Sequence, residues 1–367
     1  MADPRTAFIS PDDLRAAVGA GVLKEGQAAA LTALAHSRRG AREDLSAGDE
    51  PFELFRGFNE IFIMVGLCIL GAGWIGLAFW VLYANPETWR LTLSTYMVVT
   101  VAMIWLMSEY FIRYRRMVGP AILLSIMFAA TAAFGLSQWR AQVFMLARED
   151  FSSLILPGLL TVVAVFIYWL RFKVPFAMAL MALGLFGTAL LLTATRNGSP
   201  RSISELFVLS GGGGFGLITL ALGLATFAVA MIFDGSDPHR VTRRSAQGFW
   251  LHLVAAPMII NTVALTLLAR ESHAANLTIL GLMALFAVIA VVIDRRSFLL
   301  AAIGYTVSVI LTLNPITENQ SFAGLILALG LFLVLLGAFW APIRAALLRV
   351  IPLGRLRRFL PPAHPIG

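Results

Sequence analysis

The sequence predicts an all-α membrane protein, a polytopic bundle of about ten transmembrane helices preceded by a short cytosolic helical segment. Hydrophobic residues make up 59% of the 367 residues and charged residues 13%, with a mean hydropathy of +0.83. A soluble domain contains only about 45–50% apolar residues. The apolar residues fall into runs of about 20, the length that crosses a hydrocarbon core. Lys and Arg are unevenly divided among the loops, as in a multi-pass protein.

Residues 1–56 are predicted to form a cytosolic segment of two short helices and a linker. Ser10 is a suitable N-cap, Pro11 suits the first helical position, and Gly19 suits the helix end. Residues 1–60 carry 10 acidic and 7 basic side chains, a net charge of −3 that excludes a nucleic-acid-binding arm. Two interpretations remain: a cap that packs on the membrane domain or on a second copy, and a docking site for a protein partner.

Ten hydrophobic runs follow within a transmembrane bundle predicted over residues 57–342. Helices are expected because the runs have helical length and composition, and because lipid leaves no water to satisfy open backbone groups. The runs cover about 61–83, 91–111, 118–138, 151–170, 174–194, 206–233, 248–269, 275–293, 297–313 and 322–341.

The distribution of basic residues predicts the direction of the chain. With a cytosolic N-terminus, the inside segments hold 22 of the 28 Lys and Arg residues and the outside loops hold 6. This asymmetry places both termini inside, in agreement with an even number of spans. It also explains the basic pI of about 10.3 without nucleic acid.

The C-terminal residues 343–367 are predicted to form a basic amphipathic cytosolic tail. Arg alternates with Leu, Ile and Val between residues 343 and 360, where no acidic residue occurs. Such a segment is expected to lie on the anionic lipids of the inner leaflet of the bilayer. Binding to a protein partner is the alternative.

Two stretches resemble a known group of proteins. The segment GVLKEGQAAAL, followed by many spans and the turn VIDRRSFLLAAIGY, resembles uncharacterised multi-pass bacterial membrane proteins of a domain-of-unknown-function family. The resemblance implies a location in the bacterial inner membrane. It implies no catalytic or binding residue, because that family has no established activity.

Few ionisable residues fall near the spans, and each is a candidate functional group for that reason. Glu109 precedes Arg113 by four residues, so the two side chains are predicted to form an ion pair at the membrane interface. Glu60 and Asp294 lie at span ends beside arginines and are interpreted as interface anchors. The lone cysteine, Cys68, is interpreted as a small apolar residue of the first span.

The glycine-rich stretch SGGGGFG, residues 210–216, predicts a break in the sixth run. Each glycine disfavours a helix by about 1 kcal/mol relative to alanine in water. Broken helices supply ion and substrate sites in transporters. Close helix packing through small residues is the alternative. The predicted cavity residues here are Gly211, Gly212, Gly213 and Gly214.

The stretch GFWLHLVAAPMIIN, residues 248–261, contributes the remaining predicted cavity residues, His252, Pro257 and Asn261. His252 is five residues from the inside end of its run, about 7 Å, and is therefore expected at the interface beside Trp250. A haem ligand would lack a second histidine within the membrane. Asn261 falls near the midplane, four residues after Pro257, on the face expected to turn toward the bundle.

The motif search favours no enzyme class. The sequence contains no HExxH, GxSxG or Walker loop and no cluster of residues at metal-ligand spacing, so neither a metal nor a cofactor is predicted. The leading hypothesis is a transport-like protein, or one that interacts with lipid or a small solute, with a cavity bordered by the sixth and seventh spans. The alternative is a non-catalytic scaffold, sensor or assembly factor that binds a partner through its N-terminal helices.

Overall fold

A computed structural model of the chain describes residues 11–23, 27, 31, 58–84, 86–237, 243–269, 273–296, 327, 330–331, 334–352, 354 and 359–361. Within these residues the protein is all-helical, with 82% helix and no strand, which confirms the predicted α class. The chain divides into two compact units, residues 1–52 and 53–367.

The first unit contains helix α1, Pro11–Gly19. Asp13 lies in its first turn, where a carboxylate complements the positive end of the helix dipole. The chain then turns at Gly21, whose φ of +72° lies in the left-handed region. The second predicted helix and the acidic linker fall almost entirely outside the described residues.

Among its described residues, the second unit contains seven helices that are long and apolar enough to cross a membrane, which is compatible with a membrane-embedded protein. They are α2 (Phe58–Ala84), α3 (Trp89–Ser108, continued by a π-helical turn to Tyr114), α4 (Gly119–Arg140), α5 (Ser152–Phe172), α6 (Ala177–Asn197), α7 (Phe215–Ser236) and α8 (Arg243–Leu268).

Two further helices lie in the described residues of the C-terminal part of the chain. Helix α9, His273–Ile293, corresponds to the eighth predicted run, and helix α10 covers Trp340–Val350. The ninth run and nearly half of the tenth fall outside the residues that the structure describes. The count of about ten spans therefore stays a prediction.

Local sequence accompanies both ends of α5. At the start of α5, hydrogen bonds from the Ser152 side chain and backbone hold the pKa of Asp150 below its ordinary value. The last turn of α5 ends at Lys173, which adopts a left-handed φ of +54° before Val174 and Pro175. Proline cannot continue a helix, so the chain reverses direction here.

The start of α4 corrects the interpretation of Glu60 as an interface anchor. Glu60 is buried, and its carboxylate accepts hydrogen bonds from the backbone N–H groups of Val118 at 3.2 Å and Gly119 at 3.0 Å. The first N–H groups of a helix have no partner within the helix itself. A side chain of α2 therefore caps α4, a contact that no local pattern in the sequence predicts.

Two hydrophobic cores hold the second unit together. The first joins α2 to α6 around Tyr168, which is fully buried, stacks on Phe128 at 4.6 Å between centroids, and pairs its hydroxyl with Ser108 Oγ at 2.7 Å. The second joins α8, α9 and α10 through Ile260, Val291 and their neighbours. Large apolar side chains cover much of the remaining surface, as a lipid environment requires.

Candidate functional site

The glycine-rich segment before α7 consists of turns. Residues 207–214 are not helical, and α7 begins at Phe215. Gly214 has a φ of +71°, a left-handed conformation that a residue with a side chain rarely adopts. Of the alternatives for Gly211, Gly212, Gly213 and Gly214, the structure therefore shows a helix break, and these four residues make no helix crossing.

Three hydrogen bonds hold this glycine-rich segment against the ends of neighbouring helices. Thr266 of α8 accepts the backbone N–H of Leu209 at 2.9 Å, and Thr219 of α7 donates to the carbonyl of Leu206 at 2.6 Å. The third bond runs from Asn197 Nδ2 to the carbonyl of Gly213 at 2.7 Å. The segment thus lies across the ends of α6, α7 and α8.

Asn261 lies deeper in α8, five residues before Thr266 and about 7.5 Å from it along the helix axis. Only 2% of Asn261 is exposed, and its Nδ2 has no hydrogen-bond partner among the described residues. Pro257 has no N–H to donate, so the carbonyl of Leu253 loses its helical partner. In this part of α8, the Nδ2 donor of Asn261 therefore lacks an acceptor among the described residues, and the carbonyl of Leu253 lacks its usual N–H donor.

The ring of His252, which the sequence predicts beside Trp250 at the interface, is fully buried within a charged network. Its Nε2 lies 2.8 Å from Asp234 Oδ2. Arg295 donates from Nε to the same oxygen at 3.0 Å and pairs with Oδ1 through Nη2. The carbonyl of Ser245 accepts from Arg295 Nη2 at 3.1 Å. We call Asp234, His252, Arg295 and Ser245 the charged network.

The topology of three consecutive helices assembles this charged network at one end of the bundle. Asp234 lies in the last turn of α7, whereas Ser245 lies in the first turn of α8. Asp294 follows α9 with a φ of +57°, and the next backbone N–H, of Arg295, returns to the carbonyl of Ala290 at 2.9 Å. This left-handed helix end turns Arg295 back into the bundle.

Gly248 makes the close approach of α8 to the charged network sterically feasible. A Cβ atom at this position would overlap Asp234 Oδ1 and lie 3.3 Å from Arg295 Nη2. A residue with any side chain would therefore displace the carboxylate or the guanidinium. The glycine of the stretch GFWLHLVAAPMIIN thus has a specific packing role.

A second buried ion pair adjoins the charged network and corrects the interpretation of Asp294 as an interface anchor. Asp294 is 8% exposed, and its Oδ1 accepts from Trp340 Nε1 at 2.6 Å. Arg344 of α10 lies 3.7 Å from the same oxygen and donates to the carbonyl of Pro361 at 2.5 Å. Arg344 therefore packs inside the protein and is not available to the surface of the inner leaflet.

The predicted pair of Glu109 and Arg113 forms, with 3.2 Å between Oε2 and Nη1. Arg171 of α5 joins it, with its Nε 2.7 Å from Glu109 Oε1. All three side chains are partly exposed, so solvent screens the pairs and their contribution to stability is small. The geometry favours a structural link between α3 and α5.

The predicted site residues therefore lie toward two different ends of α8. Asn261 and the glycine-rich segment lie toward one end, His252 lies about 13.5 Å from Asn261 along the helix axis, toward the other end, and Pro257 lies between them. Asp234, Ser245 and Arg295 were missed by sequence reasoning. Their only signal was an acidic residue at the end of one apolar run and an Asp-Arg-Arg turn at the end of another.

No family model, curated protein or solved structure matches this chain. In the part of the chain that the structure describes, no three His, Cys, Asp or Glu side chains are grouped to hold a metal ion.

Proposed function

We propose that this chain is a multi-pass protein of the bacterial inner membrane, with both termini in the cytosol, that binds a small solute or a lipid in a transport-like role. The proposed contact is Asn261 of α8, toward the end of that helix where the glycine-rich segment Gly211–Gly214 lies. The observation that carries the proposal is the Asn261 amide, which is 98% buried and leaves Nδ2 without a partner among the described residues.

The chemistry of this position favours a neutral ligand with an acceptor oxygen. An unpaired buried amide costs about 1–3 kcal/mol, and an oxygen on a bound molecule would remove that cost. The neighbouring hydroxyls are already used, since Thr262 donates to the carbonyl of Met258 and Thr266 to that of Thr262, both at 2.6 Å. The amide of Asn261 therefore remains for recognition of a carbonyl, ester or hydroxyl oxygen.

Mass spectrometry of the molecules that co-purify with the full chain tests this proposal. The wild type should retain a defined solute or lipid, and Asn261→Leu should reduce its amount about tenfold, the effect of losing about 1.4 kcal/mol. Thr262→Val is the matched control, because it removes a buried hydroxyl that bonds only to its own helix. Equal retention by Asn261→Leu, or a wild type that carries bulk membrane lipid alone, would overturn the proposal.

A second candidate function is a scaffold, sensor or assembly factor that binds a partner through its N-terminal segment. It is favoured by the division of the chain, since residues 1–52 form a compact unit of their own. Deletion of residues 2–50 discriminates the two functions. A scaffold should lose its co-purifying protein, whereas a solute-binding protein should keep its solute. Binding of anionic lipids by the C-terminal tail and membership of the domain-of-unknown-function family remain proposals.

A further inference from the structure

The charged network at the end of α7, α8 and α9 is separate from the proposed solute site and has a chemistry of its own. Ionisable side chains inside a membrane bundle are costly and mark ion and proton pathways. Here a histidine with no exposed surface contacts a carboxylate that is itself held by an arginine. We propose that Asp234, His252 and Arg295 form a proton-binding site, in which His252 takes up and releases one proton.

The hydrogen bonds define where that proton binds. An ionised carboxylate only accepts hydrogen bonds, so His252 Nε2, 2.8 Å from Asp234 Oδ2, carries a hydrogen in the neutral ring. The added proton therefore binds at Nδ1 and converts the ring to imidazolium. The charges of Asp234 and Arg295 cancel. Protonation of His252 therefore changes the net charge of the network from zero to +1.

Two opposing effects act on this equilibrium. The carboxylate of Asp234 stabilises the imidazolium, whereas Arg295, bonded to the same Oδ2 at 3.0 Å, and the complete burial of the ring stabilise the neutral form. Histidine titrates near neutral pH when such effects offset each other.

The other charged groups near His252 lie on the elements packed against α8. Helix α7 contributes Asp234, and the chain after it contributes Asp237, which is also buried. The end of α9 contributes Asp294 and Arg295, and α10 contributes Arg344, which faces Asp294 at 3.7 Å. The charged residue of α6 is Arg196, at its far end, and α8 itself begins with the pair Arg243 and Arg244.

The two partners of the ion pair differ in exposure. Asp234 keeps 8% of its side chain exposed, whereas His252 keeps none. Phe227 packs its ring against His252 at 5.3 Å between centroids, on the side of α7. The network lies at the end of the bundle that the basic loops predict to be cytosolic, so its proton comes from that side.

A single-histidine variant tests the proton site directly. The chain has five histidines, and replacing His36, His239, His273 and His364 by Gln leaves the 15N signals of His252 alone. In purified protein reconstituted in vesicles, these signals should convert from the Nε2–H form to imidazolium between about pH 8 and pH 5. A ring that keeps one form throughout this range would overturn the proposal.

The role of the network is tested in the same background with Asp234→Asn, which removes the carboxylate charge but keeps the shape. The titration midpoint of His252 should move down by about half a pH unit or more, because the imidazolium loses its counter-charge. Ser245→Ala, which alters a contact to Arg295 only, should move it less. An unchanged midpoint in Asp234→Asn would overturn the assignment of Asp234. Neither result depends on solute binding at Asn261.

Discussion

Asp234 is the residue that joins the parts of the charged network, because its two oxygens accept from both His252 and Arg295. Asp234→Ala leaves the guanidinium of Arg295 buried without its counter-charge. We expect a loss of about 3–5 kcal/mol in the free energy of unfolding, the usual cost of breaking a buried pair. Thermal unfolding of the purified protein in detergent measures this change.

The control for this prediction removes both charges. Asp234→Ala combined with Arg295→Met leaves no uncompensated charge, and apolar replacement of a whole buried pair is often close to neutral. The double variant should therefore be more stable than Asp234→Ala alone. If the two losses simply added, the pair would not be coupled as the structure indicates.

Gly248 supports a second prediction at the scale of single residues. Gly248→Ala places a methyl group against Asp234 Oδ1 and Arg295 Nη2, so the variant should lose about 1–3 kcal/mol of stability through overpacking. Gly212→Ala is the matched control, since nothing lies within 4 Å of a Cβ there. Comparable melting temperatures for the two variants would contradict the close approach of α8 to the network.

The residues that the sequence predicts as a site and those of the charged network differ in the distance over which they act. Pro257 and Asn261 are predicted because their relation is local, four residues apart on one helix. Arg295 and Asp234 are 61 residues apart, and each lies where a charge usually reaches the membrane interface. Only the tertiary arrangement of three helices shows that these charges meet inside the protein.

At the scale of elements, glycine sets how closely α5 and α6 cross. A Cβ at Gly158 of α5 would overlap the Thr188 side chain, and one at Gly184 of α6 would lie 2.8 Å from Val162 Cγ2. Small residues allow two backbones to approach, which is a main source of helix association within lipid. These two glycines therefore fix the separation of the two helices.

This crossing gives a prediction with a control on the same helix. Gly184→Leu should separate α5 from α6 and reduce the free energy of unfolding by about 1–3 kcal/mol or more. The melting temperature of the purified protein should fall accordingly. Gly187→Leu adds the same side chain one turn away, where no atom lies within 4 Å of a Cβ, and should have little effect. Equal losses for both variants would argue against the crossing.

Helix positions were predictable from the apolar runs because length and hydropathy act locally. The runs at 118–138 and 151–170 correspond to Gly119–Arg140 and Ser152–Phe172. The sixth run differs, since α7 begins at Phe215 although apolar residues start at 206. Hydropathy gave the wrong start there, whereas the conformational preference of glycine indicated the break.

At the scale of the whole molecule, the C-terminal part of the second unit closes the end of the bundle that carries the charged network. Helix α10 runs continuously across the predicted boundary between residues 342 and 343. Trp340 and Arg344 bind Asp294, and Phe359 packs beside Gly235, next to Asp234. The amphipathic pattern predicts a tail on the inner leaflet because it reflects only neighbouring residues. It gives no indication of these long-range contacts.

The orientation of the bundle decides which compartment supplies the proton to His252, and it can be measured with single cysteines. Cys68→Ser gives a chain without cysteine, into which Arg115→Cys or Arg148→Cys is introduced. Both positions are exposed, in the turn between α3 and α4 and in the loop between α4 and α5 respectively. With 22 of 28 basic residues on one side, we expect that side to be cytosolic.

A membrane-impermeant maleimide applied to intact spheroplasts should therefore label Arg148→Cys at once and Arg115→Cys only after the membrane is permeabilised. The Cys68→Ser chain, which should remain unlabelled, reports background reaction. The reverse pattern would place Asp234 and His252 at the outer face, because Arg115 lies at the same end of the alternating spans as the start of α8. The proton would then come from outside, and both termini would lie there as well.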